Sequence, residues 1–320
     1  MVGLLRFFAA DPPPAVLEIA ADRVTGVAFG EGHGVTTVTE ALPEGVLVPS
    51  PNTVNMVDRD VVAGAVTRVV KRLPGVPTRI GLVLPDAAAK VSLIPFEQVP
   101  PRAADLDELV RWQLRKTSPF RMEDAQVAYV PGRRRADGAC EFVVTLMRRD
   151  VVGEYEGVCA SADTHAGVVD LASFSVVNAV LADGATDVSD WLLVHVTSRD
   201  SSMLVMRRGQ LILFRNRRTS DLDQLVDFIH QTTMYYEDRL QGEGFARILL
   251  VATGLGDGLV SAGNLRRSLE SRLGTSMETI DFGHVVTAGE GTRSLDDRQA
   301  PSLGLLWRER TPVNDAEDGE

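Results

Sequence analysis

The order of three short strands, one helix and one further strand occurs twice along this chain of 320 residues, and that repetition narrows the available folds more than any single motif does. In the first half, apolar residues alternate or cluster at about 15–20 (AVLEIA), 24–29 (VTGVAF) and 35–40 (VTTVTE), separated by short polar or glycine-containing turns. This pattern predicts three meandering antiparallel strands. A helix is expected from Asp58 to Leu73, where Val62, Ala65, Val66, Val69, Val70 and Leu73 share one face and Asp58 or Asp60 can cap the start. Pro74-Gly75 ends it, and a buried strand over 79–84 (RIGLVL) follows. The second half repeats the order: strands at about 191–197, 202–206 and 210–215, a helix from Ser220 or Asp221 to Leu240, and a strand over 247–252 (RILLVA). Leu222, Leu225, Val226, Ile229, Thr233, Tyr236 and Leu240 form the inward stripe of that helix.

Two such units facing each other describe an α/β, actin-like (ribonuclease H-like) architecture of duplicated βββαβ lobes, shared with sugar kinases and Hsp70-type proteins. The expected division is an N-terminal segment (1–14), a first lobe (15–188), a reduced second lobe (189–309) and an acidic, disordered tail (310–320). A small α/β insert in the first lobe, at about 89–163, carries strands KVSLIPF, AQVAYV and EFVVTLM and an amphipathic helix from Ala104 to Lys116. Gly167 to Leu171 reads as the last strand of the first lobe, with a helix through Ala182 after it, and 183–187 reads as the inter-lobe link.

Composition removes several classes of function. No apolar run approaches the roughly 20 residues that span a bilayer. The opening Met1 to Ala10 meets Asp11-Pro12-Pro13-Pro14 and lacks the longer apolar region and small-residue cleavage site of a signal peptide, so the chain is expected to stay in the cytoplasm. Cys140 and Cys159 have no CxxC spacing, and His33, His165, His195, His230 and His284 share no spacing either, which argues against a metal site. A net charge of −11 works against nucleic-acid binding, and the run Arg133-Arg134-Arg135 sits between turn residues, as a solvated hairpin tip would. Phe228, Tyr235 and Tyr236 share one helix, where core packing is favoured over a partner-facing role. Trp112 lies beside the apolar stripe of the insert helix, consistent either with a partner-facing aromatic or with a second buried face.

Ordered landmarks over nearly the whole chain resemble the type IV pilus assembly protein PilM family. RIGLVLP is similar to that family's strand before its insert, and SLIPFEQVP followed by DELVRWQLRKTSPF to its insert segment. GVVDLASFSVVNAV, ILLVATGLGDGLVSAGNLRRSLESRLG and APSLGLLWR resemble its later helix, the region of its LtGG motif and its closing helix. The cytoplasmic part of the secretion protein GspL is a more distant likeness, but that family continues into a membrane helix. The resemblance implies an adaptor of a pilus or related secretion platform at the inner membrane. Its partners would be a PilN-type bitopic membrane protein, held by its cytoplasmic N-terminal peptide in the groove between the first lobe and the insert, and other platform proteins.

Actin-like ATPases cradle phosphate in the turn between the first two strands of each half, where Asp supports Mg²⁺ or water and Gly lets backbone N–H groups approach the oxygens. Where the family reads approximately DIGsssvK, this chain reads Glu18-Ile19-Ala20-Ala21-Asp22-Arg23-Val24-Thr25, with Ala20 in place of Gly and Thr25 in place of Lys. At the equivalent second turn, His195 replaces the carboxylate and Thr197 replaces Gly. Catalysis is therefore not expected, and neither ATP nor Mg²⁺ is expected as a cofactor. If nucleotide did bind, the candidate contacts would be Thr253, Gly254, Gly256, Arg23 and Ser201, with Arg23 and Arg199 as an alternative anion site. A nucleotide-dependent switch and a self-associating structural subunit remain the rival readings.

Overall fold

A computed structural model describes residues 13–30, 34–135, 137–182, 189–254, 262–280 and 295–308. The described residues form three sheets. The first holds β1 (Ala15–Ile19), β2 (Arg23–Phe29), β3 (Val35–Ala41), β4 (Arg79–Leu84) and β8 (His165–Leu171) in the order β3-β2-β1-β4-β8. The first three run antiparallel, while β4 and β8 are parallel to β1. The second sheet orders β9 (Trp191–Val196), β10 (Asp200–Arg207), β11 (Gln210–Arg218) and β12 (Arg247–Ala252) as β11-β10-β9-β12, with β12 parallel to β9. Beyond β12, Glu278 N–H donates to the Ile248 carbonyl and Leu250 N–H to that of Glu278, both at 2.8 Å. A parallel bridge thus occupies the place beside β12 that β8 holds beside β4. The strand order of the two lobes is the same, and the duplication read from periodicity is a duplication in space.

The helices form where the apolar stripes lie. α1 (Arg59–Arg72) buries Val62, Ala65, Val66, Val69 and Val70, and Asp58 accepts from Val61 N–H at 3.2 Å, satisfying an orphan amide of the first turn. α5 (Leu222–Leu240) is capped in the same way by Asp221, which accepts from Gln224 N–H at 2.9 Å. On α5, Phe228 and Tyr236 are buried, whereas Met234 and Tyr235 are exposed. The insert pairs β5 (Lys90–Phe96) and β6 (Ala125–Arg134) on either side of β7 (Cys140–Arg148), with α2 (Ala103–Leu114) closing a small core around Phe142. Trp112 on α2 is 53% exposed with the Lys116 ammonium 5.1 Å over its ring, so it takes the outward orientation. At the β6–β7 hairpin Arg134 and Arg135 are exposed, while Arg133 pairs with Glu141 at 2.9 Å.

Two placements differ from what sequence order suggests. A helix unanticipated within 89–163, α3 (Arg149–Ala160), buries Val151, Tyr155, Val158 and Cys159 in the core of the first lobe, and so serves as the crossover into β8. Its Glu154 carboxylate accepts from Asn55 and Met56 N–H, and the Tyr155 hydroxyl donates to Asn55 Oδ1 at 3.0 Å. The closing helix α7 (Ala300–Arg308) follows the second lobe in sequence yet packs in the first, against β1, β4 and α4 (Ala172–Ala182). Gly304 makes that possible, since a Cβ there would lie 1.8 Å from the Ser175 carbonyl oxygen. α6 (Ala262–Leu273) completes the second lobe through Leu265 and Leu269.

Candidate functional site in the inter-lobe cleft

The internal duplication places two equivalent hairpin turns opposite each other. The β1–β2 turn closes with Ala20 N–H donating to the Arg23 carbonyl, and the β9–β10 turn with Thr197 N–H donating to that of Asp200, both at 2.9 Å. The space between them is bounded by Glu18, Asp22, Pro85, Ala172, Ser198, Asp200 and Thr253 among others, and measures about 20 Å³. That is room for a water molecule or so, since one water needs roughly 10–15 Å³ on this scale.

In the first turn, the Glu18 carboxylate is buried and accepts from Arg23 Nη2 at 3.1 Å, while Arg23 Nη1 reaches Asp22 at 3.0 Å. Burial pushes the Glu18 carboxyl up from its ordinary range, and the nearby Arg23 charge only partly offsets it. In the second turn, Thr197 Oγ1 accepts from Arg199 N–H at 3.2 Å and Asp200 N–H at 3.1 Å. The amides at the tip of this turn are therefore engaged by the chain's own hydroxyl, where a glycine would leave them free to point at an oxyanion. Asp200 is 5% exposed and accepts from Asn216 Nδ2 at 2.8 Å. Burial, reinforced by the Asp86 charge, raises its carboxyl to about 6 against the opposing Asn216 hydrogen bond.

Beneath the turns lies a buried polar network that joins the lobes. Asp86 follows β4, and its Oδ1 accepts from Ser173 N–H at 3.0 Å in the first turn of α4, where the helix dipole favours a carboxylate. Asp86 Oδ2 accepts from the Ser173 hydroxyl and, at 2.6 Å, from the Ser202 hydroxyl of β10. Ser202 Oγ in turn accepts from Asn216 Nδ2 at 2.9 Å. His195 of β9 places Nδ1 2.8 Å from Ser173 Oγ and Nε2 3.0 Å from Thr253 Oγ1. Because the Ser173 hydroxyl donates its one proton to Asp86, His195 Nδ1 must be the donor to Ser173. Burial works to raise the Asp86 carboxyl, but the neighbouring His195 ring, 3.8 Å away, and the hydrogen bonds from Ser173 and Ser202 outweigh it and hold Asp86 below the usual carboxylate range.

The residues singled out from sequence are dispersed around this arrangement. Thr253 is buried at the cavity wall and bound to His195. Gly254 is needed for close packing, because a Cβ there would sit 2.0 Å from Ser198 N, so its neighbour is the second turn itself. Arg23 is turned into its own hairpin by Glu18 and Asp22, and Arg199 lies 4.0 Å from Glu44. Ser201 shares the face of β10 with Met203 and Val205, under α5, and bonds Thr219 Oγ1 at 2.7 Å, while its neighbours Asp200 and Ser202 face the cleft. Thr25 pairs with Thr39 at 3.3 Å, away from the cavity. Gly256 lies outside the described residues. Sequence reasoning missed Asp86, Ser173, Ser202 and Asn216. The available signal was a carboxylate directly after a buried parallel strand, the end at which α/β sheets place their ligand sites.

Comparison with solved structures finds the same architecture elsewhere. A chain of the PilM–PilN type IV pilus biogenesis complex superposes with a TM-score of 0.78 at 16% identity, covering 94% of this chain and 99% of that one. A protein from Bacteroides thetaiotaomicron, described as having an actin-like ATPase fold and unknown function, superposes at 0.51 with 11% identity, over 95% and 99% of the two chains. The fold is actin-like. The cytoplasmic domain of EpsL, an inner membrane component of the type II secretion system of Vibrio cholerae, gives 0.49 at 10% identity over 92% and 93%. No protein-family model matches the sequence, and no curated protein does.

Proposed function

We propose that this chain is a non-catalytic adaptor of a type IV pilus or related secretion platform, binding the cytoplasmic N-terminal peptide of a PilN-type membrane protein. One observation supports the non-catalytic part: among the described residues, the space between the two hairpin turns is lined by carboxylates and by amides already engaged within the chain. The space between the two turns is narrow, with room for a water molecule or so. The carboxylates of Glu18, Asp22 and Asp200 line that space and would oppose a polyphosphate, while Arg23, the basic residue of the first turn, is already paired with two of them. The amides of the second turn are engaged by Thr197.

The partner assignment is supported by the likeness in fold to the PilM–PilN complex and by the ordered landmarks in the sequence. The insert adds a separate sheet with its own core, and its outer strands β5 and β6 are where an extended peptide could add by backbone pairing. No helix among the described residues is long and apolar enough to cross a membrane, and attachment to the inner membrane from the cytoplasm is read as running through the partner. The test is calorimetric titration with the N-terminal cytoplasmic peptide of a single-span membrane protein encoded beside this one. Saturable binding is expected, and absence of heat with peptide in excess would end the adaptor reading.

A further inference from the structure

The geometry points to a built-in latch: the hydrogen bonds of Asp86 and Ser173 in the first lobe to Ser202 and His195 in the second hold the cleft closed without any ligand. Within this network, hydrogen bonds cross the seam from Ser202 Oγ to Asp86 Oδ2 at 2.6 Å and from His195 Nδ1 to Ser173 Oγ at 2.8 Å. All four residues are buried, and each contact is backed by another within its own lobe. Ser173 N–H and hydroxyl orient Asp86, Asn216 orients Ser202, and Thr253 holds the far side of the His195 ring. Apolar contact frames the seam, with the rings of Phe174 on α4 and Phe214 on β11 5.5 Å apart.

Chemistry gives this network a latch's behaviour. Parting the lobes without water would strand a buried carboxylate and an imidazole, and parting them with water requires the seam to open as a unit, because Asp86 Oδ2 serves acceptor duty to both lobes at once. The latch sits below the two turns, so that closure brings the turns together and leaves the space between them at about 20 Å³. The closure is made by the chain's own side chains, so the first lobe and insert are presented to a partner in one fixed arrangement, which lowers the ordering cost of binding. This inference concerns the seam alone and stands whether or not the peptide partner is the one proposed.

Hydrogen exchange measured by mass spectrometry on the full nucleotide-free chain tests it, with Ser202→Ala and Asp86→Asn as variants and Ser201→Ala as control, since Ser201 faces away from the seam. The wild type is expected to protect the segments around 20–23 and 197–202. Ser202→Ala and Asp86→Asn should speed exchange there by about 10- to 100-fold, the range for losing a hydrogen bond to a charged group, while β4 and α5 stay as slow as before. Ser201→Ala should leave those segments unchanged. Should Asp86→Asn fail to fold, Ser202→Ala decides alone. The latch is overturned if the wild-type segments exchange rapidly until Mg²⁺-ATP is added, or if Ser202→Ala exchanges at the wild-type rate.

Discussion

Replacing Asp200 by asparagine should stabilise the protein at neutral pH, although it deletes a charge from the heart of the cleft. Asp200 is almost fully buried, and its carboxyl is raised from the ordinary 3.8 to about 6, chiefly by burial. A group whose folded-state pKa is raised binds its proton more tightly in the folded chain than in the unfolded one. Its contribution to stability is complete below pH 4 and is lost as pH rises through 6. A shift of about 2 units at 1.36 kcal/mol per unit sets a ceiling of roughly 3 kcal/mol on the cost of ionised Asp200 at pH 8. Asparagine has the same shape and keeps an oxygen to accept from Asn216 Nδ2. Asp200→Asn should therefore gain about 1–3 kcal/mol at pH 8, a gain that shrinks steadily as pH falls toward 4. Urea unfolding of both proteins at several pH values reads this directly from the midpoints. A gain independent of pH, or a loss at pH 8, would refute the reasoning and show that the ionised carboxylate is a net stabilising partner of the turn.

Other perturbations should have opposite signs. Arg23→Met leaves Glu18 buried beside a neutral chain and should cost about 3–5 kcal/mol in urea unfolding at pH 8. The loss should diminish at low pH as Glu18, already raised by burial, protonates. Gly254→Ala places a methyl 2.0 Å from Ser198 N and should cost about 1–3 kcal/mol by thermal unfolding, as overpacking does. Gly304→Val should cost at least as much, since it forces α7 off the Ser175 carbonyl, and near-ultraviolet circular dichroism should register the loosening around Trp307.

Most of the fold was legible because both lobes keep their apolar periodicity, and the sequence narrows each helix start to two candidate caps, of which the structure uses Asp58 and Asp221. α3 escaped notice because Gly153 and Gly157 dilute its helical signal, although Val151, Tyr155, Val158 and Cys159 do fall at helical spacing. The return of α7 to the first lobe leaves no trace in local pattern, since an apolar helix face does not say which sheet it covers. At the site, Ala20 and Thr197 could be recognised as departures because the duplication predicts where phosphate-binding turns must lie. The polar network around Asp86 could not be read. Asp86 meets Ser173 across 87 positions and Ser202 across 116, so the network exists only once the lobes have closed. Nor does a threonine in a turn announce that its hydroxyl will satisfy the neighbouring amides.

The account makes partner binding independent of nucleotide, because the cleft is closed by the chain itself. The direct measurement is the peptide titration carried out twice, on nucleotide-free protein and in excess Mg²⁺-ATP. Equal dissociation constants and no separate heat for Mg²⁺-ATP are expected. A peptide affinity that appears, or changes tenfold, only with Mg²⁺-ATP present would contradict the account and return this chain to the nucleotide-driven members of its fold.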